Sequence, residues 1–221
     1  MKIELRHISL RYEGKPTLFE DLNLSVNEGD FILVQGPSGS GKSSLLRLLN
    51  RLQDPSSGEV LIDGNPVLNQ EVTKLRRRVG YVQQTPVMVA GSVAHNLNLP
   101  FRFKSDGENR TLSDGEMQNW LKDFRLEDVG LEDDAGRLSV GQKQRLALIR
   151  NLLVKPEALL CDEPTSALDP QSREIVDNWL GRLNSERDVT VVLVTHLDQP
   201  PKQNHPRKLY LSQDGLREAE S

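Results

Sequence analysis

Apolar positions fall into two periods along the chain. Residues 2–12 alternate through Ile3, Leu5 and His7 and then, after a break in phase, through Ile8, Leu10 and Tyr12. Alternation of this kind predicts an edge strand. Across the turn Glu13-Gly-Lys-Pro16, the pairs Leu18-Phe19 and Leu22-Asn-Leu-Ser-Val26 predict a second strand folding back on the first. Phe31-Ile-Leu-Val-Gln35 is a short apolar run bounded by glycines, the mark of a buried strand. The leucines of Ser43-Ser-Leu-Leu-Arg-Leu-Leu-Asn50 share one helical face, and Asp54-Pro-Ser-Ser-Gly58 stops that helix. Residues 59–62 and 79–82 predict two further strands.

From about Thr85 to Leu153 the strand signal disappears. Pro86, Pro100, Gly107 and Gly115 punctuate loops, and helices are expected over 116–124 and 141–153. In the second of these Leu146, Ile149 and Leu153 keep helical spacing. Strand character returns at Ala158-Leu-Leu-Cys161, and a helix is expected from about Pro170 to Leu183. Residues 189–194 are continuously apolar and β-branched, as in a parallel sheet buried on both faces. A last strand over 208–211 runs into the turn Asp214-Gly215. The expected fold class is α/β, with a helical insertion.

Composition narrows the function classes. The 221 residues suit one domain, or one domain with a subdomain. With 28 basic and 32 acidic residues the net charge is −4, so no general attraction to nucleic acid is implied and no nucleic-acid partner is expected. The basic run Lys74-Leu-Arg-Arg-Arg78 reads as a solvated face ahead of a strand. Cys161, the single cysteine, excludes an internal disulfide and suits a reducing compartment. No apolar run reaches the ~18 residues a membrane span needs, and Met-Lys-Ile-Glu-Leu lacks the apolar core of a signal peptide. A soluble cytoplasmic protein is expected, reaching any membrane through a partner.

The candidate chemistry begins at Gly36-Pro-Ser-Gly-Ser-Gly-Lys-Ser43, which fits the pattern glycine, four residues, glycine, lysine, serine or threonine. It lies between a strand and a helix. Gly36, Gly39 and Gly41 let backbone N–H groups converge on an anion, with Pro37, Ser38 and Ser40 between them. The helix start, through Ser43 and Ser44, adds its partial positive charge. Lys42 brings a full charge to the β and γ phosphates of a nucleotide, and the Ser43 hydroxyl can join the shell of Mg2+. Residues 158–163 form an apolar strand ending in Asp162 and Glu163. The first carboxylate can reach that cation. The second can orient or deprotonate a water beside the γ-phosphate. Leu138-Ser-Val-Gly-Gln142 places a good N-cap, Ser139, before a helix, and Gly141 permits close approach of the backbone. Taken alone, that stretch reads as an ordinary helix cap.

Gly36–Ser43, Gln84, Leu138-Ser-Val-Gly-Gln142, Leu160-Cys-Asp-Glu163, Ser166-Ala-Leu-Asp169 and Thr195-His196 occur in the order seen in ATP-binding-cassette (ABC) ATPases. The chain resembles that family from about Ile3 to its last strand. The resemblance implies a P-loop (RecA-like) core over 1–84 and 155–221, with an antiparallel β subdomain, and a helical subdomain over 85–154. It implies ATP and Mg2+ as ligands. Tyr12 would stack on adenine. Gln84, with Gln83 as the neighbouring alternative, would touch Mg2+ and the attacking water and sense a membrane partner. Ser139, Gly141 and Gln142 would grip the ATP held by the second chain of a head-to-tail homodimer, with Asp169 at the seam. His196 would contact the γ-phosphate, while His7, His95 and His205 have no role. Val140, Cys161 and Leu197 depart from the family pattern.

The chain stops soon after the core sheet. It therefore resembles the stand-alone nucleotide-binding subunit of a transporter, on the cytoplasmic face of the inner membrane, working with a separate transmembrane permease. The stretches around Gln84–Pro100 and 141–152 look most like small bacterial cassettes implicated in iron export. The alternative from another class is a soluble non-transport ABC ATPase acting on the ribosome or DNA. A small-molecule kinase or GTPase would leave the 138–142 stretch unexplained.

Overall fold

The computed structural model describes residues 1–103, 110–195, 206–212 and 214–219. His196, one of the expected site residues, lies outside them.

The centre is a six-stranded sheet. Its strands β3 (Phe31–Gln35), β6 (Val79–Val82), β7 (Ala158–Asp162), β8 (Thr190–Val194), β9 (Arg207–Ser212) and β10 (Gly215–Glu218) stand in the order β10-β9-β3-β8-β7-β6. All neighbours are parallel except β9 and β10. Residue parity sorts the side chains to the two faces. Phe31, Leu33, Leu159, Cys161, Val191 and Leu193 enter one apolar cluster. Ile32, Val34, Ala158, Leu160, Val192 and Val194 enter the other. Both faces are buried, which is why these strands are continuously apolar.

The second cluster is closed by an antiparallel sheet, β2-β1-β4-β5, built from β1 (Ile3–Arg11), β2 (Thr17–Val26), β4 (Ser57–Ile62) and β5 (Asn65–Pro66); β1, expected at an edge, lies inside it because β4 pairs along its other side. The phase break in β1 falls at His7, whose φ of 52° is left-handed and whose neighbours Leu5 and Ile8 bracket a register shift. Under this sheet lies α1 (Lys42–Leu49), with Leu45, Leu46, Leu48 and Leu49 buried. Burial of each leucine contributes roughly 1.5–3 kcal/mol, enough to hold an eight-residue helix that is marginal alone.

The first cluster is closed by α3 (Val93–Asn98), α4 (Asp114–Asp123), α5 (Val140–Leu152) and α6 (Pro170–Arg187). Among the described residues no strand lies between β6 and β7. The helical stretch shares its apolar cluster with α6 and the sheet rather than enclosing a separate one. Phe124 stacks on Trp179 of α6 at 4.5 Å, and the Trp179 indole N–H donates to the Asp123 carbonyl at 3.0 Å.

Several elements differ from the sequence-based expectation. The run 74–78 is not merely a solvated face: it is the helix α2 (Val72–Arg78). Arg78 bridges Asp63 and Glu157 at 2.6 Å each, and Arg76 donates to the Arg51 carbonyl at 2.6 Å. Helix α4 starts two residues earlier than expected because Ser113 and Glu116 form a reciprocal capping box. Gly115, expected to mark a loop, sits in its first turn. Strand β8 begins one residue later, since the Val189 N–H is spent on the Leu183 carbonyl at the end of α6.

Candidate functional site

The glycine loop leaves the end of β3 and turns directly into α1. Gly41 caps that helix at φ 97° with no side chain to accept a first-turn N–H. Those donors therefore face the loop, an arrangement suited to an anion. A Cβ at Gly41 would press on the Leu18 side chain at 2.7 Å, which could shift, so it is the left-handed backbone angle that favours glycine there. At Gly36 the restriction is harder, because a Cβ would meet the Leu211 carbonyl at 2.0 Å.

The loop opens on a pocket of about 440 Å³ lined by Tyr12, Leu18, Ser38, Gly39, Gly41, Lys42, Ser43, Ser44, Gln84 and Glu163. Lys42 is buried, and its Nζ donates to the Gly36 and Pro37 carbonyls at 2.9 Å each. Burial pulls its pKa below the ordinary lysine range, while Glu163 and Asp162 push it back up. The Ser40 hydroxyl is buried beneath the loop rather than facing the pocket. Tyr12 rests its hydroxyl on Ser44 at 2.9 Å and on Gln53 at 3.0 Å, which holds its half-exposed ring at the pocket rim.

Strand β7 delivers Asp162 beneath the pocket, 4 % exposed. The Ser43 hydroxyl donates to its Oδ1 at 2.8 Å. A hydroxyl and a carboxylate meeting beside a phosphate-binding loop are hard oxygen donors of the type Mg2+ takes, and Mg2+ needs few protein ligands. The next residue, Glu163, has φ 46°, a left-handed conformation that costs a non-glycine residue free energy. Its N–H is fixed by the Val194 carbonyl at 3.0 Å. The turn swings its side chain away from the buried Asp162 and into the pocket. There the Gln84 Nε2 donates to Glu163 Oε2 at 3.2 Å. Gln83 points elsewhere: its carbonyl accepts from the buried Gln144 at 3.1 Å, and its side chain does not line the pocket.

Ser139, Gly141 and Gln142 lie apart from this pocket. Ser139 caps α5, accepting from the Gln142 N–H at 3.2 Å, and Gln142 Oε1 accepts from the Ser139 N–H at 2.9 Å. The Gln142 amide also donates to Asp128 at 3.0 Å. A Cβ at Gly141 would lie 2.9 Å from the Ser172 hydroxyl and 3.6 Å from Asp169. Within the chain, then, the small residue serves close packing of α5 on the start of α6. Asp169 caps α6, accepting from the Ser172 N–H at 2.9 Å, and that bond holds its carboxyl below the usual range. Val140 is 52 % exposed between the capping residues.

Two residues escape sequence reasoning. Arg145 is buried along α5 and donates to the carbonyls of Phe124 and Arg125 at 3.0 and 2.7 Å, tying the end of α4 to the helix that carries Ser139. Tyr81 on β6 donates to Asp162 Oδ2 at 2.8 Å, and burial, reinforced by that bond, pushes its phenol up to about 12. Tyr81 has no motif that would single it out, and Arg145 closes the 138–145 stretch without any signal of its structural role. Cys161 is fully buried, and burial drives its thiol far above the ordinary range, so it behaves as a small apolar residue.

A parallel sheet, a glycine loop feeding a helix, and two acidic residues at the end of an inner strand define a P-loop nucleotide-binding domain. The family model described as ABC transporter matches residues 19–166, and the chain belongs to that family. It carries the family's ATPase domain. It is 42 % identical over 196 residues to Protein STAR1 of Oryza sativa subsp. japonica, covering 88 % of this chain and 56 % of that protein. It is 39 % identical to ABC transporter I family member 17 of Arabidopsis thaliana, covering 88 % and 73 %. The methionine import ATP-binding protein MetN 2 of Enterococcus faecalis is 38 % identical, with 88 % and 57 % covered. The chain thus spans little more than half the length of two of these three relatives. Among solved structures, the ATP-binding cassette MJ0796, described as a dimer in a post-hydrolysis state bound to ADP and Pi, aligns at a TM-score of 0.83 with 31 % identity, covering 99 % of this chain and 98 % of that one.

Proposed function

We propose that the chain binds and hydrolyses ATP to drive a transporter. The observation that carries this is the meeting of Lys42, Ser43, Gln84 and Glu163 around one pocket, with Asp162 beneath it. Residues 1–84 and 155–221 act as the nucleotide-binding body, and 85–154 as the helical arm. Gly36, Pro37, Ser38, Gly39, Ser40, Gly41 and Ser44 form the cradle for the phosphates, and Lys42 neutralises their charge. Ser43 and Asp162, with Gln84 at the edge, would hold Mg2+, which would supply charge neutralisation to the phosphates when bound. Glu163, steadied by Gln84, takes the position of the group that orients water. Tyr12 stacks on the base. His196, outside the described residues, keeps the γ-phosphate role that the resemblance implies.

Ser139, Gly141, Gln142 and Asp169 complete the site of a second copy in a head-to-tail homodimer. Their separation from the chain's own pocket supports this, as does the dimeric ADP-bound relative. Among the described residues no helix is long and apolar enough to cross a membrane. The reading gives transport to a separate permease, with this chain peripheral to the cytoplasmic face of the membrane, and the relative named as a methionine import ATP-binding protein supports it.

A groove of about 530 Å³ supports a docking surface. It is lined by Val72, Val87, Val89, Phe103 and three arginines, with no carboxylate lining it among the described residues. Arg150 donates to the Val87 carbonyl and to Asn96, and burial lowers its pKa. An amphipathic permease helix carrying a carboxylate fits that lining. The named relatives include a methionine importer and do not carry the expectation of iron export, so the cargo stays with the membrane partner.

The test is recovery of the tagged chain from detergent-solubilised membranes. A multi-spanning protein in roughly equal amount is expected, and Arg77→Glu should deplete it. Recovery with ribosomes or nucleic acid alone would overturn the reading in favour of a soluble ABC ATPase.

A further inference from the structure

We propose that Tyr81 is a positioning residue for Asp162, holding its carboxylate so that one oxygen is reserved for the cation site. The inference rests on the reading of Ser43 and Asp162 as cation ligands. A carboxylate rotates freely about its last bond unless both oxygens are engaged. Here they are divided. Oδ1 accepts from Ser43 and Oδ2 accepts from Tyr81, each at 2.8 Å. The two donors come from different elements, the helix behind the glycine loop and the outermost strand of the parallel sheet.

The geometry follows from register. Tyr81 pairs with Leu160 on the neighbouring parallel strand, and Asp162 lies two residues further on the same face. A phenol is long enough to span that offset along the strand, and few other neutral donors are. The ring packs partly buried against the apolar cluster under the antiparallel sheet. The backbone is pinned as well, because the Tyr81 N–H donates to Asn151 at 3.2 Å. The Tyr81 hydroxyl also acts on Arg47, from the first helix, and holds that guanidinium above its ordinary pKa. The phenol thus donates to a carboxylate of β7 from its place on β6, and Ser43 of α1 holds the other oxygen of that carboxylate.

With Oδ2 occupied, Asp162 offers the cation a single oxygen at a fixed angle. That suits Mg2+, which demands near-octahedral geometry and keeps several waters. Partners of metal ligands typically change metal affinity 10–100-fold when removed.

The test is Tyr81→Phe, which keeps the ring in its packing and removes only the hydroxyl. Mn2+ serves as the probe, titrated against the ATP-loaded protein by electron paramagnetic resonance, with ATP affinity measured in parallel in EDTA. Mn2+ affinity should fall roughly tenfold, while metal-free ATP affinity stays at the wild-type value. Arg47→Met, which leaves the Tyr81–Asp162 bond in place, should weaken Mn2+ less than Tyr81→Phe does. Unchanged Mn2+ affinity in Tyr81→Phe, or an equal fall in metal-free ATP binding, would overturn the proposal. Asp162→Asn separates the two levels of the argument: if it too leaves Mn2+ affinity unchanged, the underlying assignment of the cation ligands fails, not the role of Tyr81 alone.

Discussion

Two helix starts in this molecule are built in opposite ways. At α1 the cap is a left-handed glycine with no side chain, and the first-turn donors open onto a pocket within the chain. At α5 the cap is a serine in a reciprocal box with Gln142, and the helix end satisfies itself on an exposed surface. The first is a ready anion site. The second must give up internal bonds to accept an anion, so it binds one only when other contacts arrive with it. On the proposed function, those contacts come from a second copy. The contrast also separates two uses of glycine: Gly41 frees the backbone, while Gly141 makes room for Ser172.

The largest effect that bears on this contrast is at the pocket. Glu163→Gln should lower turnover by roughly 10²–10⁴, the range for losing a positioned general base, and leave ATP affinity intact. Steady-state hydrolysis and equilibrium nucleotide binding check the two halves. Lys42→Ala should weaken ATP binding by roughly 10–100-fold, as expected for a charge-assisted contact; unchanged affinity would remove Lys42 from its role.

Substitutions at the second helix start sharpen the comparison. Ser139→Ala loses the cap and should cost about 1 kcal/mol of stability in urea unfolding. Ser139→Asp keeps a good cap, so its stability should match wild type. Its added negative charge should still block assembly around ATP. If Ser139→Asp assembles as wild type does, the second helix start is only a cap.

The smallest effect is a pH dependence within α6. Asp177 is partly buried, and burial pushes its pKa up to about 6 from the ordinary 3.8, with Arg173 pulling the other way. The folded chain therefore holds that proton to higher pH than the unfolded chain. The resulting stability is present below pH 3.8 and is lost as pH rises through about 6. Asp177→Asn should remove this slope and stabilise the protein at pH 7 by about 1–2 kcal/mol. Urea midpoints at pH 4.5 and 7 measure it, and identical shifts at both would rule it out.

Much of the fold is legible because burial on both sides imposes a simple pattern. The β3, β7 and β8 runs need only be apolar, and residue parity then assigns their side chains to two cores. The break in alternation after His7 is visible in the sequence, and the structure realises it as a register shift between Leu5 and Ile8. Helices α2 and α3 are not legible. The first is seven residues rich in arginine and the second is six residues, so neither shows a full apolar face, and tertiary contacts hold both. Within the site, Lys42, Ser43 and Asp162 converge because strand-end geometry can be reasoned from spacing. Tyr81 and Arg145 depend on which strands and helices become neighbours, and local sequence carries no record of that.

The central claim is that the two helix starts meet across two chains. Its most direct test is the solution mass of Glu163→Gln by light scattering, with and without saturating ATP and Mg2+. The account predicts one chain mass, 24.9 kDa, without nucleotide, twice that with it, and a return to one on adding Ser139→Asp. A mass of one chain at saturating nucleotide, or a dimer that survives Ser139→Asp, would contradict it.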